Sequence, residues 1–192
     1  MFLFFHSQEK QIFVGNILFI VCCGFYLAWW LLAFRPSGAY NNAKTGLLLI
    51  PASITGLLGV VLTIRGILAE TLAKQLLSGG YILWGGIAAF LVLLAVTALL
   101  LKRPVTTELI LIVGWGMLAL AEVNVLFGIG LFSHRLSVGF LLIICTAVLI
   151  SLVCYILYYR LDSRAGYIDG MIPLLLSALA MAAISGFMVI QD

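Results

Sequence analysis

A single carboxyl group, Glu122, lies in the apolar stretch LALAEVNVLFGIG at residues 118–130, two positions before Asn124. A charged side chain at the centre of a membrane helix costs about 2.5–3.5 kcal/mol on insertion scales. Apolar surroundings favour the neutral form of a carboxyl group, so such a residue can gain and lose a proton within a membrane. Glu122 is therefore the first candidate for a proton carrier or a cation ligand.

Glu108 and Trp115 precede Glu122 by multiples of seven residues, which places all three within about 40° on one face of an α-helix. At 1.5 Å per residue, the two carboxyl groups lie about 21 Å apart along the helix axis. We interpret this face as a candidate pathway for a solute or an ion, with Trp115 as a constriction. The alternative is a structural hydrogen bond from Glu122 to another helix, with these candidate partners: Asn16, Ser53, Thr55, Arg65, Ser177 and Ser185.

Asn124 points about 200° away from Glu122 and shares its face with the small residues Ala121 and Gly128. Small residues allow a second helix to approach closely, and an amide between them commonly bonds across the interface. We therefore predict that Asn124 and Gly128 serve helix packing. A helix with Glu122 on one face and Asn124 on the other should be covered on both sides, at the centre of a bundle.

The stretch GLLLIPASITGLLGVVLTIRG at residues 46–66 has the second polar pattern. Pro51 removes a backbone donor, and the hydroxyls of Ser53 and Thr55 can bond the freed backbone or line a cavity. Interrupted helices often line substrate sites in transporters, so Ser53 and Thr55 join the candidate pathway; a kink that serves packing is the alternative. Small-residue stripes predict further helix packing at Gly56, Gly59, Ala178, Ala182 and Gly186.

The composition indicates a membrane protein. Of 192 residues, 65% are hydrophobic and 9% are charged, whereas a soluble domain has about 45–50% apolar and about 25% charged residues. All of the Lys, Arg, Asp and Glu residues except Glu122 fall in connections, tails or the ends of apolar stretches. The net charge of +3 comes without a basic cluster, so nucleic acid is not an expected partner.

A helix that crosses the hydrocarbon layer needs about 20 apolar residues. The sequence predicts an all-α polytopic integral membrane protein, with residues 1–192 forming one transmembrane domain of six helices at 11–34, 46–66, 81–101, 108–131, 136–159 and 170–190. The connection RGILAETLAKQLLSGG predicts a short amphipathic helix that either lies at the membrane interface or continues the second span, with Glu70 and Lys74 as an i,i+4 pair. The segment at 158–170 predicts a joint in which Asp169 caps the last helix.

The distribution of basic residues predicts the orientation. Six spans place Lys10, Arg65, Lys74 and Arg135 on the side of the termini, against Arg35, Lys44, Lys102, Arg103, Arg160 and Arg164 on the other side. Basic residues favour the cytoplasmic side, so both termini are predicted outside the cytoplasm. The N-terminal residues lack a signal-peptide pattern. We expect a plasma (inner) membrane, in a prokaryote.

The cysteines and aromatic residues carry no recognisable site. Cys22, Cys23, Cys145 and Cys154 form no CxxC pattern and lie in apolar stretches, so they are interpreted as small buried side chains. Aromatic residues such as Trp30 at the ends of the spans are interpreted as an interfacial belt. We expect no metal, no cofactor and no catalytic residues, because no hydrolase, zinc or phosphate-binding motif occurs.

Two hypotheses about function follow. The leading one is a small multi-pass transporter or channel for a small solute or an ion, in which Glu122 offers a means of coupling to protons. Homo-oligomers within the lipid bilayer are expected from the small-residue stripes. The alternative is a membrane subunit, sensor or assembly factor without transport activity, which binds lipids or other membrane proteins.

Overall fold

The computed structural model describes residues 7–33, 45–74, 84–88, 91, 92, 95, 107–158 and 160–191. These residues contain no β-strand, and their helices are α1 (Ser7–Ala33), α2 (Leu49–Ala73), α3 (Thr107–Gly128), α4 (His134–Tyr158), α5 (Ser163–Asp169) and α6 (Ile172–Gln191). Four helical segments are long and apolar enough to cross a membrane, namely Gln8–Ala33, Leu49–Ala73, His134–Tyr158 and Ser163–Gln191. The described part of the chain is thus all-helical, with four candidate membrane-spanning helices.

The predicted count of six spans stays a prediction. The third predicted span, 81–101, lies mostly outside the described residues, although 84–88 are helical. The fourth corresponds to α3, whose apolar part Ile112–Gly128 is shorter than the four candidate spans.

Helices α1 and α2 form an antiparallel pair in which the two backbones touch. A Cβ atom added at Gly59 would lie 2.9 Å from the carbonyl oxygen of Gly15, and one added at Gly66 would lie 3.0 Å from that of Gln8. Such close approach is possible only where both helices present glycine or another small residue. The pairing runs from the first turns of α1 to Cys22, which lies opposite Gly56.

Helix α2 begins later and ends later than the predicted span at 46–66. It continues without a break through Arg65 to Ala73, so this part of the predicted amphipathic helix is a continuation of α2. Glu70 was predicted to form an i,i+4 pair with Lys74 on a polar flank; its side chain is only 3% exposed, while Lys74 lies on the surface. Because α2 packs against the start of α1, Glu70 is covered although it is far from the middle of the helix.

A tight turn brings α4 back against α3. Gly130 has a φ of +84°, and the amides of Leu131 and Phe132 both donate to the carbonyl oxygen of Leu126, at 3.0 and 3.1 Å. Glycine adopts this left-handed conformation without steric cost, so it ends helices in this way. The Phe132 ring is buried and stacks on Phe140 of α4 at 5.4 Å.

Helix α3 is covered on the Glu122 side by the other described helices. Ala119, Ala121, Glu122 and Val123 are all fully buried, whereas Asn124 on the opposite face is only half-buried. The helix contacts α2, α4 and α6, and Glu122 reaches α1. A buried polar side chain on such a face needs a partner from another helix. The predicted cover on both faces is thus present at Glu122 and only partial at Asn124.

The short helix α5 and its caps correct the prediction for the last connection. Asp162 caps α5, with its carboxylate accepting a hydrogen bond from the amide of Ala165 at 3.2 Å. Asp169 was expected to cap the last helix, but it is the final residue of α5, and α6 begins at Ile172. Asp169 therefore has no capping role at α6, and its carboxyl is turned into the protein.

Candidate functional site

Glu122 and Asn16 form a buried pair between α3 and α1. Both side chains are 0% exposed, and Asn16 Nδ2 donates a hydrogen bond to Glu122 Oε1 at 2.5 Å. Asn16 is one of the candidate partners named for the structural interpretation. The contact ties the central helix to the first helix.

Each side chain of this pair has one oxygen atom without a partner among the described residues. Asn16 Oδ1 and Glu122 Oε2 are both buried without a hydrogen bond. An ionised Glu122 would make both of these atoms acceptors, and buried acceptors without donors are costly. A proton on Oε2 supplies a donor that the amide oxygen can accept. The pair is thus best satisfied when Glu122 is neutral.

The remaining residues of the predicted pathway have different environments, and the pathway itself stays a prediction. Trp115 is buried in the core at 3% exposure, and the side chain of Glu108 lies outside the described residues. Ser53 is exposed. The Thr55 hydroxyl donates to the carbonyl oxygen of Pro51 at 2.7 Å, within its own helix.

The predicted interruption lies just before Pro51. Residues 45 and 46 are helical, and a turn at 47–48 separates them from α2. Helix α2 starts at Leu49, so Pro51 lies in its first turn, where the missing amide leaves no hydrogen bond unmade. The Leu47 carbonyl oxygen accepts a hydrogen bond from the Ile50 amide at 3.3 Å. Thr55 bonds the backbone, which is the first of the two roles considered for it.

The predicted packing residues have different environments. Gly56 and Gly59 face α1, where an added Cβ at Gly56 would lie 2.8 Å from Cys22 Sγ. On α3, Asn124 is half-buried and Gly128 is exposed. On α6, Ala178 packs against the core, whereas Ala182 and Gly186 are exposed. The predicted stripe on α6 is therefore only partly in contact with the described helices.

A cavity of about 70 Å³ lies between α1, α4 and the α5–α6 junction, away from Glu122. A single water needs about 10–15 Å³ on this scale, so the cavity has room for a small organic group. Most of its lining is apolar, with Phe19, Ile112 and Leu174 on its inner side. Three cysteines also line it, namely Cys22, Cys23 and Cys154.

Trp30 forms one end of this cavity. Its side chain is 3% exposed, its indole Nε1 donates to the Tyr167 carbonyl oxygen at 3.0 Å, and its ring lies 5.8 Å from that of Tyr158. The Trp30 ring is therefore packed inside the protein, and its assignment to an interfacial belt stays a prediction. Gly170 lies directly against the indole, because an added Cβ there would be 2.8 Å from Trp30 Cε2.

Asp169 provides the charged group of the cavity. The side chain is 8% exposed, and its Oδ2 atom is buried without a partner among the described residues. The Cys154 thiol lies within hydrogen-bonding reach of the same carboxyl group. Arg160 and Arg164 of the adjoining connection are exposed, and no described residue that lines the cavity is basic. The carboxyl group therefore faces the cavity without a cation beside it.

A wider depression of about 260 Å³ adjoins the cavity on the α5 side. Trp30 and Tyr158 line both spaces, so this ring pair separates the inner cavity from the outer depression. Asp162, Ser163 and the Tyr167 residue that holds the Trp30 indole line the outer part. The site thus consists of an apolar inner cavity and a more polar outer depression, with the rings of Trp30 and Tyr158 between them.

No local sequence pattern indicates this site. Trp30 and Asp169 lie at opposite ends of the chain, and each resembles an ordinary residue at the end of an apolar stretch. Their relationship arises from the packing of α1 against α6. In the part of the chain that is described, no three His, Cys, Asp or Glu side chains lie close enough to hold a metal ion.

Comparison with known protein families, with curated proteins and with solved structures finds no match to this chain. The fold and the site are therefore the basis for its class. The described residues form an all-helical bundle with four candidate membrane-spanning helices, a buried acid–amide pair in the core and a separate, largely apolar cavity that contains one carboxyl group.

Proposed function

We propose that this chain is a membrane protein that binds a small hydrophobic or amphiphilic ligand in the cavity between α1, α4 and the α5–α6 junction. The observation that carries the proposal is the buried Asp169 carboxyl group, which faces an otherwise apolar space. Ligand sites are typically apolar clefts with a small number of polar groups that fix orientation. This proposal belongs to the class of non-transport membrane subunits and sensors.

The environment of Glu122 supports the same choice. A proton carrier or an ion ligand needs access to water or to the moving ion, whereas Glu122 is fully buried and bonded to Asn16. Its role in the proposal is to hold α1 against α3. The helix α1 also carries Trp30 and the two adjacent cysteines of the cavity. The pair at Asn16 thus positions one side of the ligand site.

Two variants of α4 test ligand binding. Cys154→Phe fills the cavity, while Cys145→Phe adds the same ring at an exposed position of the same helix. We expect protein purified from its membrane to retain a small molecule in fixed ratio, and Cys145→Phe to retain it equally. Cys154→Phe should lose at least about 90% of it, because a phenyl ring occupies the space that a ligand would need.

Mass spectrometry of organic extracts from the three purified proteins measures this retention. The circular dichroism of each protein checks that it remains helical. Equal retention by all three proteins, or no retained compound in any of them, would remove the cavity as a ligand site.

Transport of a small solute or an ion is the second candidate function. Buried polar atoms without partners favour it, since such atoms commonly bind internal water, and a chain of water can conduct protons. In the described core these atoms belong to Asn16, Trp115, Glu122, Ser151 and Ser185. In this proposal Glu122 accepts and releases a proton, and homo-oligomers complete a route along α3.

Glu122→Gln separates the two candidates, because glutamine keeps the size of the side chain but cannot carry a proton. If transport uses Glu122, proton flux into proteoliposomes that contain the Glu122→Gln protein should fall to the level measured with empty vesicles. Our leading proposal expects no protein-dependent flux in wild type and therefore no effect. A flux that wild type supports and Glu122→Gln lacks would favour transport over ligand binding alone.

The proposed location is the plasma membrane of a prokaryote, with six spans and both termini outside the cytoplasm. The support for this orientation is the excess of Lys and Arg in the connections that would then face the cytoplasm. Reporter domains fused to either terminus distinguish the two orientations, because each reporter is active on one side of the membrane only.

A further inference from the structure

We infer that the ligand of the cavity is an organic cation with an apolar body, held by Asp169 and by the aromatic rings around it. This inference rests on the proposed ligand-binding function and specifies the chemical class of the ligand. It begins from the one residue of the cavity lining that has a buried polar atom without a hydrogen-bond partner. Asp169 lines the cavity, and its Oδ2 atom is buried without a partner among the described residues.

A buried carboxylate oxygen without a donor is costly, so a ligand that supplies positive charge gains more here than in water. The Cys154 thiol is the neighbour of this carboxyl group, and a thiol is only a weak donor. The basic residues of the adjoining connection, Arg160 and Arg164, are exposed. The site therefore lacks a cation, which the ligand can provide.

Aromatic side chains surround the same space. The rings of Tyr26, Trp30, Tyr155 and Tyr158 all line the cavity. The faces of aromatic rings attract organic cations within about 6 Å, and groups of such rings recognise quaternary ammonium ions. A carboxylate together with four rings is a combination suited to an alkylammonium group.

The inner part of the cavity determines the rest of the ligand. Phe19 and Trp30 both line it and are eleven residues apart on α1, which corresponds to about 16 Å along the helix axis. Phe19, Ile112 and Leu174 offer only apolar surface at the inner end. A ligand with an ammonium group at Asp169 and an alkyl or aryl body directed towards Phe19 matches both ends.

A metal ion does not fit this site. Hard cations such as Mg²⁺ and Ca²⁺ require about six to eight oxygen ligands, whereas the cavity has one carboxyl group among apolar walls. In the described part of the chain no cluster of metal-binding side chains occurs. An organic cation needs no such shell, because its charge is spread over carbon-bound hydrogens and its body is stabilised by apolar contacts.

Two probes of nearly equal shape test the inference. Benzyltrimethylammonium carries a permanent charge, and neopentylbenzene replaces its nitrogen by carbon and is neutral. Binding is measured by calorimetry on the full chain in nanodiscs, with empty nanodiscs subtracted. Wild type should bind the cation about tenfold more tightly than the neutral compound, and Asp169→Asn should reduce only the affinity for the cation, by about tenfold.

The outcomes separate this inference from the proposed function. Equal affinity for both compounds, unchanged in Asp169→Asn, would refute the cation and leave the cavity as a site for neutral ligands. Binding of neither compound, or binding that Cys154→Phe leaves intact, would contradict the cavity as a site altogether. The comparison of the two compounds on wild type does not require the Asp169→Asn protein to fold.

Discussion

Gly15→Leu is expected to lower the free energy of unfolding by about 3–5 kcal/mol or to prevent folding. A Cβ atom at Gly15 would lie 2.9 Å from both the Gly59 carbonyl oxygen and the Thr63 amide nitrogen. These neighbours are backbone atoms of α2, which cannot move away as the end of a flexible side chain could. The two helices would have to separate along the interface that joins them.

Gly24→Leu is the matched control, because it lies on the same helix and an added Cβ there has no neighbour within 4 Å. We expect its stability to stay within about 0.5 kcal/mol of wild type, as for other exposed substitutions. Unfolding by dodecyl sulfate in mixed micelles, followed by helical circular dichroism, gives both values. Similar stabilities of the two variants would show that α1 and α2 do not touch through their backbones.

The second large effect is expected at the buried pair. Asn16→Ala and Glu122→Ala should each lower the free energy of unfolding by about 2–4 kcal/mol, because each leaves a cavity and a buried polar group without its partner. Glu122→Gln should change it by less than about 1 kcal/mol. An amide at position 122 can still exchange two hydrogen bonds with the Asn16 amide.

The double variant Asn16→Ala/Glu122→Ala measures the interaction itself. Hydrogen bonds between membrane helices reach coupling energies of at most about 1.7 kcal/mol in such cycles, and we expect about 1–1.5 kcal/mol here. The same micelle titration supplies the four free energies. Strict additivity of the two single variants would mean that the contact between Asn16 and Glu122 contributes nothing to the fold.

The sequence predicted the polar pair better than it predicted the cavity. Glu122 was recognisable because a carboxyl group within an apolar stretch is rare, and Asn16 was one of the few polar residues that could reach it. The choice between Asn16 and the other candidates depended on which helix packs against α3. Periodicity gives the faces of a helix but not its neighbours, so this choice required the structure.

The differences at Glu70, Pro51 and Asp169 share one physical origin. The helices do not begin and end where the apolar stretches do. Glu70 is covered because α2 runs on beside α1, Pro51 falls in a first turn, and Asp169 ends a short helix that the sequence pattern did not predict. Apolar composition locates a span, whereas caps and tertiary contacts fix its ends.

The state of Glu122 decides most directly between a structural pair and a conducting carboxyl. Infrared spectroscopy of the reconstituted protein at neutral pH, with Glu122→Gln as the reference, isolates the signal of this one side chain. We predict a protonated carboxylic-acid band that is present in wild type, absent in the variant, and unchanged over the first minutes in deuterated buffer. A carboxylate band, or a protonated band that shifts at once on transfer to deuterated buffer, would show a charged or hydrated Glu122 and contradict a dry pair with Asn16.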